Sequence, residues 1–360
     1  MPPSPAPSTA PAGPRRLSPR LAGLALTAAA LAALAVSLAS GHMPFSLGEI
    51  WDVLWSSLTG GEPSTPENRV MVLRQVRLPR LAAAFVSGAA LGLSGAVFQG
   101  ILLNPLADPY TLGVSSGAAF GASLVIVAAM LLPQIHWLAS PLAPAGGAFL
   151  CSALTLTLVV ALASDRDRRL SPASLILAGV ILSAILSAAL SFVKYLAGDQ
   201  VGSIVFWLLG SFQARTWTDV ALVAGFFAPS LAVALSSAVD LNVMTLGVRA
   251  AESLGVDASK TRLKLLAAAS LSASAAVAAA GIIGFVGLIV PHLMRLLVGP
   301  DHRALLPLSA LGGATLLLLA DTAVRAWLPG DMPVGVLTAL LAGPAFLVVF
   351  RRRMKELMQA

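Results

Sequence analysis

Gly92-Leu93-Ser94-Gly95 reads as G-x-S-G, the pattern of a serine nucleophile working inside a membrane, and Gly113–Gly117 (GVSSG) satisfies the hydrolase pattern G-x-S-x-G. With His292 as general base, Ser94 would make the chain an intramembrane serine protease. Both strings are short and arise easily where Gly, Ser and Ala are abundant, and G-x-S-x-G requires a strand-turn-helix setting. His292 follows Pro291 and has no companion as a haem or iron ligand, a position in which histidine is usually structural. Cys151, the single cysteine, lies in an apolar run and reads as a small core residue; no disulfide or thiolate metal site follows from it. The phosphate loop G-x-x-x-x-G-K-[ST] does not occur, so no nucleotide is cradled by that device. Asp321 and Arg325, four residues apart, are nearly the whole charge of the apolar spans, too little for a proton relay. Energy for any work done by this chain must come from elsewhere.

The elements that hold these residues are membrane helices. The chain has 360 residues, 57% of them hydrophobic and 11% charged, and its mean hydropathy is +0.87. A soluble domain is about one quarter charged. Apolar spans fall near 21–40, 81–102, 110–132, 143–164, 173–195, 217–239, 264–283, 285–298, 304–326 and 334–350. Barrel strands would be about 10 residues long and alternating, so the spans are helical. The expected fold is an all-α polytopic membrane protein of ten transmembrane helices. Val201–Phe212 is apolar but too short to cross, and is expected to be re-entrant or interfacial.

Residues 1–20, rich in Pro, Ser and Ala, are expected to be a disordered cytoplasmic tail, and 21–355 a single transmembrane domain. The run from Leu21 to Ser40 exceeds a signal peptide's apolar core and reads as the first anchor. The net charge of +7 forms no continuous face, so it is a topology signal and not a nucleic-acid surface. Arg166, Arg168, Arg169, Arg249, Lys260, Arg262, Lys264, Arg295, Arg303 and the C-terminal Arg351–Lys355 run fall on one side, with both termini, which the positive-inside bias makes cytoplasmic. The six tryptophans fall on the other, outer side, suited to the headgroup boundary. Arg69, Arg74, Arg77 and Arg80 also fall there, against the bias, and need either a packing reason or an acidic partner.

Small-residue runs repeat. Gly88–Gly100 (GAALGLSGAVFQG), Asn104-Pro105 and Leu112–Gly121 are echoed by Ala275–Gly287 (AAVAAAGIIGFVG), Pro291-His292 and Leu308–Ala314. An odd offset of helices between the units makes an inverted repeat, with a pathway at the repeat interface. Close helix packing alone would also select such residues.

The string QVRLPRLAAAFVSGAALGLSGAVFQGILLNPLADPYTLGVSSGAAFGA resembles the opening signature of the iron-siderophore, haem and cobalamin ABC importer permeases. GIIGFVGLIVPHLMRLLVGPDHRALLPLSALGGATLLLLADTAVR and PVGVLTALLAGPAF resemble that family's C-terminal half, with WLLGSF and LNVMTLGVRAAESLGV fitting between them. The match runs in order over about residues 70–350. It implies a homodimer in the inner membrane, two separate ATPase subunits and an extracytoplasmic substrate-binding protein. No cofactor is implied in this chain; ATP and Mg belong to the ATPase. The loop 240–261 would carry the coupling helix, touching the ATPase through Leu246, Gly247, Ala250, Ala251, Leu254 and Gly255. Arg77, Arg80 and Arg325 would meet glutamates of the binding protein, although Arg325 also has Asp321 at i,i+4 spacing.

Polar or helix-breaking residues in apolar surroundings, Gln99, Asn104, Ser115, Ser116 and Pro291, are expected to line the pathway. The family's inner gate aligns with LSPASL, here Ser171, Pro172, Ala173 and Ser174; Pro172 and Ala173 depart from the small hydroxyl residues of the cobalamin type. The cargo is not named by these motifs. Ferric siderophore is the first expectation, with haem and cobalamin the alternatives.

Overall fold

In a computed structural model the chain is described over residues 17–41, 43–164, 170–328 and 332–359. The expected tail, up to residue 16, and the basic loop at 165–169 lie outside the described residues. The helices are α1 (Pro19–Ala39), α2 (Leu47–Thr59), α3 (Glu67–Met71), α4 (Leu78–Ile101), α5 (Val114–Leu131), α6 (Ala143–Ala163), α7 (Pro172–Ala197), α8 (Val201–Leu208), α9 (Trp217–Ser236), α10 (Ala238–Met244), α11 (Val248–Ser253), α12 (Ala258–Ala280), α13 (Val286–Val298), α14 (His302–Trp327) and α15 (Val334–Gln359). Among the described residues, eight helical stretches are long and apolar enough to cross a membrane, and Val286–Val298 and Val334–Pro344 are shorter apolar helices. Together they make the expected ten.

Local chemistry sets most helix starts. Ser18 caps α1 by accepting from Leu21 N, so the helix begins at Pro19, inside the expected tail. Asp257, Asp301 and Ser171 cap α12, α14 and α7 in the same way. The span expected from residue 81 instead continues back to Glu67 through a π-helical run, Val72–Arg77. Pro79, just beyond it, lacks the donor an unbroken α-helix would use there, and the wider turn takes up the defect. α8, eight residues long, spans only about 12 Å.

Helix directions follow from the contacts. Ser94 meets Ala269 and Arg262 meets Ile101, so α4 and α12 run antiparallel. Gly88 and Gly92 lie against Gly313 and Ser309, so α4 and α14 are antiparallel as well. α1 lies parallel to α14, with Ser37 beside Thr322 and Ser40 beside Arg325. The inversion is therefore carried by α4 and α12, the two small-residue helices. The inverted counterpart of α5 is α13, which returns after α12 as α5 returns after α4. The run Leu308–Ala314 lies on α14, one helix further on. Small residues matter most where α13 crosses α4: a Cβ on Gly95 would sit 1.8 Å from the carbonyl oxygen of Gly287.

One end of the bundle gathers the end of α1, the start of α4 and the end of α14; the arginines lie there. The other, the loop end, gathers the end of α4, the start of α14 and α10–α12.

Candidate transport and coupling sites

At the arginine end, two guanidiniums, those of Arg80 and Arg325, share one carboxylate, and a third, that of Arg77, is held by backbone carbonyls. Asp321 is fully buried, and Arg80 donates to Asp321 Oδ1 from Nε at 3.0 Å and from Nη2 at 2.9 Å. Arg325 approaches the same carboxylate at 3.9 Å and donates to the carbonyls of Ser37 and Ser40. Arg77 is 6% exposed and donates to the carbonyls of Leu38 at 2.7 Å and Met43 at 2.6 Å. Its guanidinium also lies over the Phe45 ring, 4.6 Å from the centroid. These carbonyls lie at or beyond the C-terminal end of α1, where a helix lacks donors and carries partial negative charge. The end of α1 is thus the packing reason for Arg77 and Arg325, which no spacing rule reveals, while Arg80 pairs with Asp321, Arg69 with Glu49, and Arg74 donates to Val53 O and Ser56 Oγ. Arg77, Arg80 and Arg325 all line a cleft of about 190 Å³, together with Gln213 and Ser211. Three cations against one buried anion leave that cleft positive.

Beside it, α2 packs Ile50 and Val53 inward and leaves Trp51 and Trp55 exposed and stacked, with centroids 5.7 Å apart. The sequence reading placed the tryptophans but not this helix. Its two acids are tied inward: Glu49 bridges Arg69 at 2.6 Å, and Asp52 accepts from Thr65 at 2.8 Å. Hydrogen bonds from Ser46 and Arg69 hold the Glu49 carboxyl below its ordinary range, and those from Thr65 do the same for Asp52.

At the loop end, α11 stands between Gly247 (φ +101°) and Gly255 (φ +84°), both in a region that favours glycine. Leu246 and Leu254 are 66% and 64% exposed. Gly255 is exposed, and Gly247 and Ala250 are partly so. Ala251 is the exception. It is fully buried in a small cluster with Met244 and Ala258, so it anchors α11 to its own chain and presents no contact face.

Asn242 ties this loop to α14. Its Nδ2 donates to Asp301 Oδ1 at 2.7 Å, while its Oδ1 accepts from the His302 backbone at 2.9 Å and lies 2.8 Å from His302 Nδ1. Hydrogen bonds from Asn242 and Arg303 hold the Asp301 carboxyl below its ordinary range. Asn242 and His302 carried no sequence signal, because their spacing of 60 residues closes only in the fold.

Of the expected pathway residues, the structure brings Gln99 and Asn104 together. Both line an open cavity of about 700 Å³ with Asn242, Arg295 and His302. Gln99 donates to Leu288 O at 3.1 Å and accepts from Arg295 at 2.9 Å. Ser115 and Ser116 are half-buried at the start of α5, and Pro291 is buried within α13; none of the three lines that cavity. Ser171 caps α7 by accepting from Ser174 N at 3.0 Å, leaving Ala173 and Ser174 exposed and Pro172 partly so. Ser94 donates to Ala269 O at 2.8 Å and is fully buried, a helix-packing role.

Ten apolar helices, knitted by small residues and bearing a positive cleft at one end and a projecting helix at the other, define a polytopic membrane permease. The FecCD transport family model matches residues 29–352. The haemin transport system permease protein HmuU of Yersinia pestis is 38% identical over 344 residues, covering 95% of this chain and 98% of that protein. The cobalamin import system permease protein BtuC of Halobacterium salinarum is 42% identical over 288 residues, covering 80% and 75%. A solved inward-facing structure of a metal-chelate type ABC transporter superposes with a TM-score of 0.77 at 34% identity, covering 93% of this chain and 99% of that one. The chain belongs to the FecCD transport family and is the permease component of an ABC importer. That membership removes the serine-protease reading.

Proposed function

We propose that this chain, as a homodimer in the inner membrane with both termini cytoplasmic, passes a bulky metal chelate from an external binding protein to the cytoplasm. Two separate ATPase subunits supply the ATP hydrolysis. A ferric siderophore is the preferred cargo, with haem and cobalamin the alternatives; support comes from relatives named for haemin, cobalamin and Fe(3+)-citrate.

The observation that carries the reading is α11: a helix held by buried Ala251 between two glycine hinges, with exposed Leu254 at its end and exposed Leu246 just before the first hinge. Exposed leucines on a rigid, hinged unit suit insertion into a groove on an ATPase. At the arginine end, the positive cleft suits carboxylates of the binding protein, with Arg77, Arg80 and Arg325 attracting them while braced from within. Gln99 and Asn104 face the inner vestibule; Ser115, Ser116 and Pro291 border the route above it, and Ser171–Ser174 form the inner gate.

Leu246→Asp with Leu254→Asp tests the coupling assignment. Each places a charge where burial is proposed, so the purified ATPase should bind the doubly changed permease at least about 100-fold more weakly. The fold should persist, because both side chains are exposed. Unchanged ATPase binding would refute the assignment.

A further inference from the structure

One buried cation joins the coupling segment to the gate segment. Arg262 stands on the second turn of α12 and is 2% exposed. Its Nε donates to Ile101 O at 3.1 Å, and its Nη1 donates to Leu170 O. Ile101 is the last residue of α4, whose terminal carbonyls lack intrahelical donors. Leu170 directly precedes Ser171, the cap of α7.

A buried guanidinium is costly to desolvate, and an apolar side chain of similar volume would fill the same space. What the charge adds is a rigid fork able to hold two acceptors at once. Here the acceptors belong to different elements, and the fork is carried by a third. α11 is linked to α12 by a short turn in which Val256 N donates to Ala251 O at 3.0 Å and Asp257 accepts from Lys260 N at 3.0 Å. Arg262 lies about 6 Å along the axis from the first residue of α12. A displacement of α11 thus reaches the guanidinium through little more than one helical turn. Leu170, Glu252, Gly255 and Lys260 also line one open cavity of about 820 Å³, so the coupling helix and the gate segment face each other across free space.

We infer that Arg262 is a positioning residue for transport: it holds the start of α7 against the end of α4 and passes motion of the coupling helix to the gate. The inference rests on the coupling and gate assignments proposed above.

The test uses the assembled importer, permease with ATPase, in proteoliposomes. The probe is the labelling rate of Ala173→Cys by a membrane-impermeant maleimide from the ATPase side, in a Cys151→Ser background, with and without ATP and vanadate. Arg262→Lys keeps the cation but not the fork, and Arg262→Gln keeps a donor without the charge. With Arg262 present, labelling should depend on nucleotide. In the Lys variant the nucleotide-dependent difference should shrink about tenfold, the worth of one charge-assisted hydrogen bond, while ATPase binding and basal hydrolysis stay within about twofold. Retention of the full nucleotide response in both variants overturns the inference and leaves the gate assignment standing. Loss of ATPase binding or assembly in both variants makes Arg262 a structural residue and overturns it as well. A parent that labels equally in all states removes the gate assignment, and the inference with it.

Discussion

Replacing Asp321 by Asn should be among the most damaging conservative changes in this protein. The carboxylate is fully buried and neutralises Arg80 through Nε and Nη2, both at about 3 Å, with Arg325 close by at 3.9 Å. An Asn keeps the shape but leaves two guanidiniums facing each other without an anion. Breaking a buried pair by removing one partner costs about 3–5 kcal/mol. The Arg80 side chain is 16% exposed, so water reaches part of it, and the lower end of that range, about 3 kcal/mol, is expected. Tryptophan fluorescence during SDS titration of permease in mixed micelles gives the unfolding free energy. The double variant Arg80→Leu with Asp321→Leu should recover much of the loss, with a coupling energy of about 2 kcal/mol or more. A cost below about 1 kcal/mol for Asp321→Asn, the value of an exposed surface pair, would refute the account of a buried ion pair tying α4 to α14.

If the arginine cleft receives carboxylates of a binding protein, the association rate measured by surface plasmon resonance should fall as salt rises, because exposed charges are screened over about 8 Å at physiological ionic strength. Charge reversal at Arg77, Arg80 and Arg325 should flatten or invert that slope, and equal slopes would reject docking even if uptake were lost. Gly95→Val should abolish the α4–α13 crossing and yield no folded permease by size-exclusion chromatography, since a Cβ there meets Gly287 O at 1.8 Å; Gly225→Ala, with no neighbour within 4 Å, should be silent. Because the Glu49 and Asp52 carboxyls are lowered in the folded state, their contribution is present above their ordinary values of 4.5 and 3.8 and is lost as pH falls through the lowered ones. Acidification below about pH 4 should therefore loosen α2 and change the fluorescence of the Trp51–Trp55 pair, and Glu49→Gln should move that change to neutral pH; an unchanged profile in the variant would sever the link.

The class of this protein was written in its sequence because the bilayer imposes it. Unbroken apolar runs of about 20 residues must become helices, since lipid offers no partner for backbone groups. The helix starts themselves were not read from those runs, which placed the spans from 21, 173 and 264, whereas Ser18, Ser171 and Asp257 cap helices that begin at Pro19, Pro172 and Ala258. The string through Gly88, Gly92 and Gly95 announced close packing, but not which helix each glycine would meet. α2 escaped notice because its inward face, Ile50 and Val53, is short and its acids are held by residues outside the helix, Glu49 by the Arg69 cation and Asp52 by hydrogen bonds from Thr65. Likewise Ala251 looked like a contact residue among small neighbours, and only the fold turned its methyl group toward Met244 and Ala258. The carbonyls at the end of α1 that hold Arg77 and Arg325, the Asn242–His302 tie and the fork of Arg262 belong wholly to tertiary structure. A backbone carbonyl has no residue type, so the acceptor of a buried cation leaves no mark in the sequence until the helix that ends there is set beside it.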